Sequence, residues 1–395
     1  MNKIPSPDER REVLLARRNK KMALSPHAYM RGNTAQYYDW LHSLRGHALP
    51  HGPAVWICGD CHLGNIGPLA DADGKVNVQI RDFDQTVMGN PAHDLLRLAL
   101  SLATTARSSN LPGVVTAQML EHMLGGYEQA LDTGHAAIHK PELVKVVIRG
   151  AVKRTWETLA KERLVNKHPK ILQGRNFWPL LKSEKNAIKQ LFETREMRDL
   201  VTTLKSRDDD ANIEVLDAAY WVKGCSSLGL LRYAVLLSVG ENDYCLIDMK
   251  EAVKAAAPRY QHVHMPRDNS RRVIEGAHQI SPALGERIIA QRFLEHGVFI
   301  RELLPQDLKL EIDQMGIEEA IHMAKYLAYV VGCAHARQMD DETRHRWRRE
   351  LMSSRSKSLA APAWLWESVV QLMASHEAGY LEHCHKYALR LDGKH

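Results

Sequence analysis

The densest group of polar residues in the chain lies in two short runs within its first quarter. Residues 57–65 read ICGDCHLGN, and residues 80–84 read IRDFD. The first run holds Asp60 and, five residues later, Asn65, and the second holds two aspartates. Carboxylate and carboxamide oxygens are the ligands that Mg²⁺ prefers in proteins. If the fold brings the two runs together, they would form an oxygen-rich site for this cation.

The elements that must position these side chains are a strand and a hairpin. Residues 53–57 form an apolar run that predicts a strand, and the loop with Asp60 follows it. Residues 71–75 (DADGK) are typical of a hairpin turn, and residues 76–80 alternate apolar and polar side chains, as a half-buried strand does. This hairpin would carry Asp82, at the end of its second strand, back to the Asp60 loop.

A second group of candidate residues follows a change of composition near residue 208. Residues 223–229 (KGCSSLG) predict a turn between strands, whose backbone N–H groups could reach phosphate oxygens. Lys250 lies one hairpin later, on the next predicted strand. Its position suits a phosphate ligand, and the alternative is a surface lysine of that strand. The candidate phosphate-binding residues of the turn are Gly224, Ser226, Ser227 and Gly229.

Helical and strand-forming patterns occupy separate parts of the chain. The patterns predict helices over residues 1–50, broken at Ser25-Pro26, and over 91–105, 112–206, 285–295 and 317–395. They predict strands over 230–237, 244–249 and 298–304, with residues 208–210 as a linker. Because the strands do not alternate with helices, the expected class is α+β with segregated lobes rather than a βαβ fold.

Composition excludes several classes of protein. The chain has 395 residues, of which 45% are hydrophobic and 25% charged, and this excludes a disordered or collagen-like protein. The net charge of +6 would help to hold a phosphorylated ligand but does not indicate a nucleic-acid partner. No apolar run has the length of a transmembrane helix, and the amino terminus lacks a secretory pattern. We therefore expect a cytoplasmic protein whose six cysteines are reduced.

Two cysteines beside Asp60 allow other interpretations of the same loop. Cys58-Gly-Asp-Cys61-His62 satisfies C-x-x-C-H, the pattern of covalent haem attachment, and also contains the C-x-x-C of redox proteins. Haem attachment requires export to an oxidising compartment, for which the sequence has no signal. Metallophosphoesterases also use a G-D-x-H-like loop, but the further histidine motifs that they need are not found. We expect His62 to be structural.

A histidine-rich segment near the carboxyl end is another candidate metal site. His376, His383, Cys384 and His385 have a helical spacing that does not form a tetrahedral set. An exposed helix is the better prediction for this segment.

The chain resembles two groups of proteins in these motifs. Residues 59–65 (GDCHLGN) are similar to the G-D-x-H-x-x-N motif of aminoglycoside phosphotransferases and other small-molecule kinases, and residues 78–84 and 89–95 to their metal-binding strand and the helix after it. From about residue 10 to about residue 390, the chain resembles DUF2252, a large bacterial family of unknown function. The residues that carry this second resemblance are 25–32 (SPHAYMRG), 59–65, 81–84, 94–101 (DLLRLALS), 223–229, 248–252 (DMKEA) and 333–337 (CAHAR).

The resemblance implies a two-lobed protein-kinase-like (aminoglycoside-phosphotransferase-like) fold that is circularly permuted. A kinase places its glycine-rich loop and lysine before the catalytic loop, whereas here the corresponding motifs follow it. Residues 1–110 would supply the catalytic core of a mostly helical large lobe, and residues 111–214 its helical part. Residues 215–310 would form a small antiparallel-sheet lobe over the nucleotide, and residues 311–395 helices that pack on the large lobe. Permutation is feasible because chain termini usually lie at the surface and often close together.

The resemblance also implies a role for each residue of the two polar runs. Asp60 would accept the proton of the attacking hydroxyl, and Asn65 and Asp82 would hold Mg²⁺ on the phosphates of ATP. Asp84 would either join this metal site or cap the next turn. Asp94, which begins the segment DLLRLALS, would fix the catalytic loop or cap its helix.

Lys250 would take the place of the kinase lysine that binds the α- and β-phosphates. Glu286, on the helix predicted over residues 285–295, is the candidate carboxylate that orients it, and Glu251 is the rival. Arg31 either reaches the phosphates or substrate or forms a buried ion pair.

The implied activity is transfer of a phosphoryl group from Mg–ATP to an unidentified hydroxyl acceptor. Two alternatives remain open. One is nucleotidyl (AMP) transfer in the same cleft, with ATP bound in reverse, and the other is a non-catalytic pseudokinase that binds ATP as a scaffold. Residues 112–206 carry no diagnostic motif for an acceptor, and the sequence leaves the oligomeric state open.

Overall fold

A computed structural model of the chain describes residues 5–44, 49–132, 138–153, 170–240, 243–260, 262–304, 316–353 and 362–387. The helices are α1 (Pro7–Met22), α2 (Pro26–Gly32), α3 (Thr34–Ser43), α4 (Pro91–Ser108), α5 (Gly113–Leu131), α6 (Glu142–Val152), α7 (Lys182–Phe192), α8 (Arg195–Thr202), α9 (Asn269–Ile280), α10 (Ile317–Ala336), α11 (Asp341–Met352) and α12 (Ala363–Tyr387). The strands are β1 (Val55–Ile57), β2 (Ile66–Ala70), β3 (Val76–Ile80), β4 (Val87–Gly89), β5 (Phe177–Trp178), β6 (Ile213–Trp221), β7 (Arg232–Val239), β8 (Asp243–Glu251), β9 (Ile288–Phe293) and β10 (His296–Leu303). The chain is therefore α+β, as predicted.

The largest sheet has six antiparallel strands in the order β5-β6-β7-β8-β10-β9. One of its faces packs on α1, α7 and α8 through an apolar cluster that includes Leu14, Ile188 and Leu200. On the opposite face, Lys250 in β8 lies between Arg232 of β7 and Phe299 of β10. Because side chains alternate along a strand, Asp248 lies on this same face, two residues from Lys250.

Two smaller ribbons hold the first polar runs. β2 pairs with β3 and β1 pairs with β4, both antiparallel. The turn between β2 and β3 is built on Asp71, whose Oδ1 accepts hydrogen bonds from the backbone N–H groups of Asp73 (3.0 Å) and Lys75 (2.9 Å). The predicted hairpin is confirmed, and its second strand ends at Ile80, two residues before Asp82.

The remaining helices form the principal hydrophobic core, in which α4 is buried along most of its length. The helix α4 begins as its sequence predicts: Pro91 occupies the first turn and the Asn90 side chain accepts from the N–H of Ala92. Within the described residues, no helix is long and apolar enough to cross a membrane.

The first and last helices of the described chain lie against each other. The Tyr380 hydroxyl of α12 donates to the carbonyl of Ala23 at 3.2 Å, and the His383 ring contacts the carbonyl of Asn19 at 2.8 Å. Between α12 and α3, the Gln36 amide donates to the carbonyl of Ser375 at 3.0 Å. The carboxyl-terminal end of α1 and the helix α3 therefore both pack on α12.

The helix predicted over residues 285–295 is wrong. Residues 288–293 form β9, which pairs with β10 through a two-residue turn at Leu294 and Glu295. Both turn residues have positive φ angles, 46° and 67°. Such angles normally call for glycine or asparagine, so this turn leaves no recognisable signal in the sequence.

The helical prediction over residues 112–206 holds only in part. The short strand β5 interrupts it and extends the edge of the large sheet, where Phe177 stacks on Trp221 with ring centroids 5.5 Å apart. Residues 133–137 and 154–169 of this prediction, residues 354–361 and 388–395 of the predicted carboxyl-terminal helices, and turn residues 241–242 lie outside the described residues.

Candidate active site

A buried carboxylate of α4, that of Asp94, holds the backbone of the loop that carries Asp60. Asp94 Oδ2 accepts the N–H of Cys58 at 2.7 Å, and Oδ1 accepts the N–H of Gly59 at 2.9 Å. Gly59 has a φ of +72°, and a Cβ atom placed on it would overlap the carbonyl oxygen of Gln85. Only glycine fits this turn. The prediction that Asp94 fixes the loop is confirmed.

A chain of polar contacts holds Asp94 in turn. His335 of α10 places Nε2 3.2 Å from Asp94 Oδ2, and its Nδ1 lies 2.9 Å from the Tyr127 hydroxyl. The indole N–H of Trp347 donates to the same hydroxyl at 3.1 Å. Helices α4, α5, α10 and α11 thus all contribute to the position of the Asp60 loop.

Asp60 is buried, and the structure gives partners to both of its carboxylate oxygens. Oδ1 accepts a hydrogen bond from Nε of Arg97 at 2.8 Å, and Oδ2 accepts one from the Thr34 hydroxyl at 3.0 Å. His62 Nε2 lies 3.9 Å from Oδ2. Burial lowers the pKa of His62 to about 3, so this ring is neutral at pH 7 and carries no charge toward Asp60. Arg97 and Asp60 therefore form a buried ion pair.

Asn65 completes the first run of polar residues. The side-chain nitrogen of Asn65 donates to the backbone carbonyl of Asp60 at 2.9 Å, and the backbone carbonyl of Asn65 accepts the N–H of Arg81 at 2.8 Å. The second contact links the Asp60 loop to the segment that carries Asp82. Because the amide nitrogen is engaged, the carboxamide oxygen is the atom of Asn65 that remains for a cation.

Lys250 joins the large sheet to the second run of polar residues. Its ammonium hydrogen-bonds to Asp84 and lies 3.6 Å from Oδ1 of Asp82. Burial raises the pKa of Asp84 to about 6, with a further rise from the neighbouring Asp82 charge. For Asp82, burial is outweighed by the positive charges of Lys250 and Arg301, and its pKa is lowered. The pair therefore has one strongly ionised carboxylate and one that protonates more readily.

The two carboxylates at Lys250, Asp82 and Asp84, have oxygen atoms that are available to bind a divalent cation. Asp84 Oδ1 is buried and has no hydrogen-bond partner among the described residues, while the Asp82 side chain is 40% exposed. The described residues contain no group of three or more His, Cys, Asp and Glu side chains that could hold a metal. Mg²⁺ usually takes one or two carboxylates and completes its shell with phosphate oxygens and waters. Asp82, Asp84 and Asn65 suit that mode of binding.

The carboxylate that was expected to orient Lys250 is not a neighbouring glutamate. Glu286 lies on an exposed turn before β9, not on a helix, and makes no ion pair with Lys250. Glu251 accepts the N–H of Leu231 at 2.9 Å and contacts His296 at 3.2 Å, on the opposite face of β8. Among the described residues, the ion-pair partners of Lys250 are Asp82 and Asp84.

An arginine that the sequence analysis missed occupies the helix beside this site. Arg272 of α9 is buried and donates to the carbonyls of Asp84 (2.9 Å), Val253 (3.0 Å) and Thr86. It ties the Asp84 loop to the segment that follows β8. Burial lowers the pKa of Arg272 to about 10, which still leaves the side chain charged at pH 7. An arginine in an amphipathic helix, here next to Arg271, gives no sequence signal for such contacts.

The predicted turn over residues 223–229 is present and is attached to α1. Gly224 and Gly229 have φ angles of +88° and +99°, and the Lys21 ammonium donates to the Gly224 carbonyl at 2.8 Å. Ser227 is buried, and its hydroxyl donates to the Lys223 carbonyl at 3.1 Å. Ser226 is half-buried. The positive φ angles explain the two glycines, while phosphate binding by this turn remains a prediction.

The sheet face between the turn and Lys250 is rich in positive charge. The Lys223 ammonium lies 4.0 Å from the centre of the Trp221 ring and has no hydrogen-bonding or carboxylate partner in the described chain. Burial, and then the charge of Arg232, lowers the pKa of Lys223 well below its ordinary value. Arg232 pairs with Asp248 at 2.8 Å and 2.5 Å, and Arg301 donates to the Arg81 carbonyl at 2.8 Å. This face is suited to receive an anion.

The two cysteines of the Asp60 loop are thiols buried in the core. Cys58 and Cys61 are 1% and 0% exposed, and neither forms a disulfide. The hydrogen bond with Cys61, together with burial, raises the pKa of Cys58 well above its ordinary value. A redox or haem role would need a reactive, accessible thiolate, and the geometry does not offer one.

Among the described residues, the carboxyl-terminal histidines belong to no group of three or more His, Cys, Asp and Glu side chains that could hold a metal. The exposed helix predicted for them is partly wrong. His376 is only 6% exposed and packs on the Tyr29 ring with centroids 6.4 Å apart. Both of its ring nitrogens lack hydrogen-bond partners among the described residues.

Comparison with known proteins identifies the family. The family model described as "Uncharacterized protein conserved in bacteria (DUF2252)" matches residues 10–386, so the chain belongs to this family. No curated protein and no solved structure matches the chain.

Proposed function

We propose that this member of the DUF2252 family is an ATP- and Mg²⁺-dependent phosphotransferase with a circularly permuted, kinase-like fold. The observation that carries the proposal is the contact of Lys250, on the large sheet, with Asp82 and Asp84, which follow the hairpin that begins at Asn65. A lysine, two aspartates, an asparagine and a further aspartate are thereby gathered from two separate parts of the chain. Phosphoryl transfer needs this combination of placed charges more than it needs a covalent catalyst.

The arrangement supports a division of labour in the cleft. Lys250 would bind the phosphates of ATP, assisted by the positive sheet face around Lys223 and Arg232. Asp82 and Asp84, with the carboxamide oxygen of Asn65, would hold Mg²⁺, which would neutralise charge on the phosphates when bound. On this proposal, a bound metal and phosphates would replace the contact of Lys250 with Asp84.

Asp60 would orient the acceptor hydroxyl and take its proton. The acceptor oxygen forms a bond to the γ-phosphorus, the bond from that phosphorus to the ADP oxygen breaks, and the hydroxyl proton passes to the Asp60 carboxylate. Arg97 and Thr34 would hold the carboxylate in a single orientation through their contacts with Oδ1 and Oδ2. The same cleft could support nucleotidyl transfer, so the test must identify the transferred group.

The first experiment measures Mg²⁺-dependent nucleotide binding by thermal shift and isothermal titration. At a ligand concentration about a hundredfold above Kd, binding adds about 2.7 kcal/mol to stability, which gives a clear rise in Tm. We expect Asp82→Asn and Lys250→Met to weaken binding at least about tenfold. The matched control is Lys254→Met, because Lys254 is an exposed lysine four residues further along the chain. No binding by the wild-type protein at millimolar Mg–ATP would contradict the proposal.

The second experiment follows the label from ATP. Transfer of ³²P from the γ-position, lost in Asp60→Asn, supports phosphotransfer. Transfer from the α-position would instead establish the nucleotidyl alternative, and binding without any transfer would favour a scaffold.

A further inference from the structure

Arg31 lies at the edge of the Asp60 loop. It lies in the last turn of α2 and is half-buried. Its guanidinium lies against Gly64, where an added Cβ atom would be only 2.8 Å from Nη2. In the part of the chain that the structure describes, Arg31 has neither a carboxylate nor a hydrogen-bond partner. Among the described residues, therefore, no ion pair of Arg31 supports the second of the two roles open to it.

The guanidinium of Arg31 lies beside the Asp60 loop, on which the proposed function places the acceptor hydroxyl. Thr34, three residues later, donates to Asp60 Oδ2 at 3.0 Å, and His62 Nε2 lies 3.9 Å from the same oxygen. The charge of Arg31 also adds to the effect of burial in lowering the pKa of His62. Arg31 thus lies near Gly64 and His62 of the Asp60 loop, whereas the nucleotide contacts proposed above centre on Lys250.

Two further cations make this edge of the cleft positive. Lys21 and Arg18 of α1 donate to the carbonyls of Gly224 (2.8 Å) and Gly32 (3.1 Å). Neither pairs with a carboxylate among the described residues. Both act, with Arg31, on the thiol of Cys225, where burial raises the pKa and the three positive charges oppose the rise. The local charge is therefore not neutralised by the protein itself.

We propose that Arg31 binds an anionic group of the acceptor, so that the acceptor is a hydroxyl compound that carries a phosphate or a carboxylate. This inference rests on the proposed phosphotransferase function. A guanidinium presents a planar pair of N–H donors that matches either anion. Because Gly64 has no side chain, the guanidinium of Arg31 can lie against the Asp60 loop. The same charge disfavours polycationic acceptors such as aminoglycosides, because like charges in a half-buried cleft repel each other.

The test measures binding of inorganic phosphate and of acetate to the protein saturated with Mg²⁺ and a non-hydrolysable ATP analogue. We expect Arg31→Gln to raise the Kd of phosphate or of acetate, whichever the wild-type protein binds, by about tenfold or more. This is the effect of losing one charge-assisted hydrogen bond. The Kd of the ATP analogue should change less than about threefold. Arg17→Gln is the matched control, because Arg17 is also a cation of the amino-terminal helices but lies over the Trp178 ring at 4.7 Å. Phosphate and acetate distinguish the two classes of anion.

Other outcomes would overturn the inference. Unchanged anion affinity in Arg31→Gln would show that no anion site exists at this residue. A loss of nucleotide affinity as large as the loss of anion affinity would assign Arg31 to the nucleotide phosphates. If the wild-type protein binds no nucleotide, the proposed function fails, and the anion titration is made on the nucleotide-free protein. There, a phosphate site that Lys250→Met abolishes and Arg31→Gln preserves would refute the inference by itself.

Discussion

Asp94 offers the most direct test of how the Asp60 loop is held. Its two oxygens accept the N–H groups of Cys58 (2.7 Å) and Gly59 (2.9 Å), and His335 contacts Oδ2 at 3.2 Å. The Asp94 side chain is fully buried. In Asp94→Asn, the new NH₂ group faces one of these N–H donors, so at least one buried donor loses its acceptor. The remaining contact loses its charge.

The size of the effect follows from these contacts. A hydrogen bond to a charged group contributes about 1.5–3 kcal/mol, and a buried donor left unsatisfied costs about 1–3 kcal/mol. We therefore expect Asp94→Asn to lower the free energy of unfolding by about 3 kcal/mol. Total stability is typically about 5–15 kcal/mol, so the asparagine variant should still fold and is preferable to alanine.

Urea unfolding measures this loss, provided that tryptophan fluorescence and far-UV circular dichroism report the same transition. The control is Asp199→Asn, because Asp199 is an exposed carboxylate 3.7 Å from Arg195 within one helix. Exposed pairs of this kind contribute less than about 0.5 kcal/mol. A loss below about 1 kcal/mol in Asp94→Asn, similar to the control, would refute the account of the loop given above.

Two further predictions follow from the backbone of this loop and from the buried histidine of α12. Gly59→Ala should lower the free energy of unfolding by at least about 2 kcal/mol for two reasons. The new methyl group overlaps the Gln85 carbonyl, and residue 59 has a φ of +72°, which alanine rarely adopts. Gly74→Ala, at φ +78° with no atom within 4 Å, should cost only about 1 kcal/mol in the same urea titration, and equal losses would contradict the steric argument. Burial lowers the pKa of His376 to about 3, so between pH 6.5 and 3 the unfolded chain binds a proton that the folded chain excludes. His376→Phe should therefore recover about 2 kcal/mol of the stability that the wild-type protein loses between pH 7 and pH 5. An unchanged pH dependence would contradict this, because it would show that the ring binds a proton as readily in the folded chain as in the unfolded chain.

The parts of the fold that the sequence predicted are those with a local signal. The turn at Asp71, the alternation of residues 76–80 and the start of a helix at residue 91 each depend on neighbouring residues, and each is present in the structure. The turn between β9 and β10 has no such signal, because Leu294 and Glu295 adopt positive φ angles without a glycine. Tertiary pairing with β10 decides the conformation of residues 288–293, and a single sequence does not reveal it.

The candidate site divides in the same way. Asp60 and Asn65 lie on one short loop, so their spacing predicted their proximity, and the contact between them at 2.9 Å agrees. The resemblance to kinases predicted Glu286, with Glu251 as the rival, as the carboxylate that orients Lys250. The structure instead gives Lys250 the carboxylates of Asp82 and Asp84, which are more than 160 residues away along the chain. Pairings over such separations depend on topology.

The helix α1 contacts both sides of the proposed cleft and therefore restricts how the cleft can open. Near its start, Arg10 forms a buried pair with Glu184 of α7 at 2.9 Å and 2.5 Å, and Glu184 also accepts from the Tyr233 hydroxyl of the large sheet. Near its end, Lys21 holds the Gly224 turn at 2.8 Å. The segment that follows is held by Tyr380 of α12. Because α1 contacts the sheet, the glycine turn and the carboxyl-terminal helix, the turn cannot move as a free flap, and any opening of the cleft must displace α1 or break its contacts with one of the two sides.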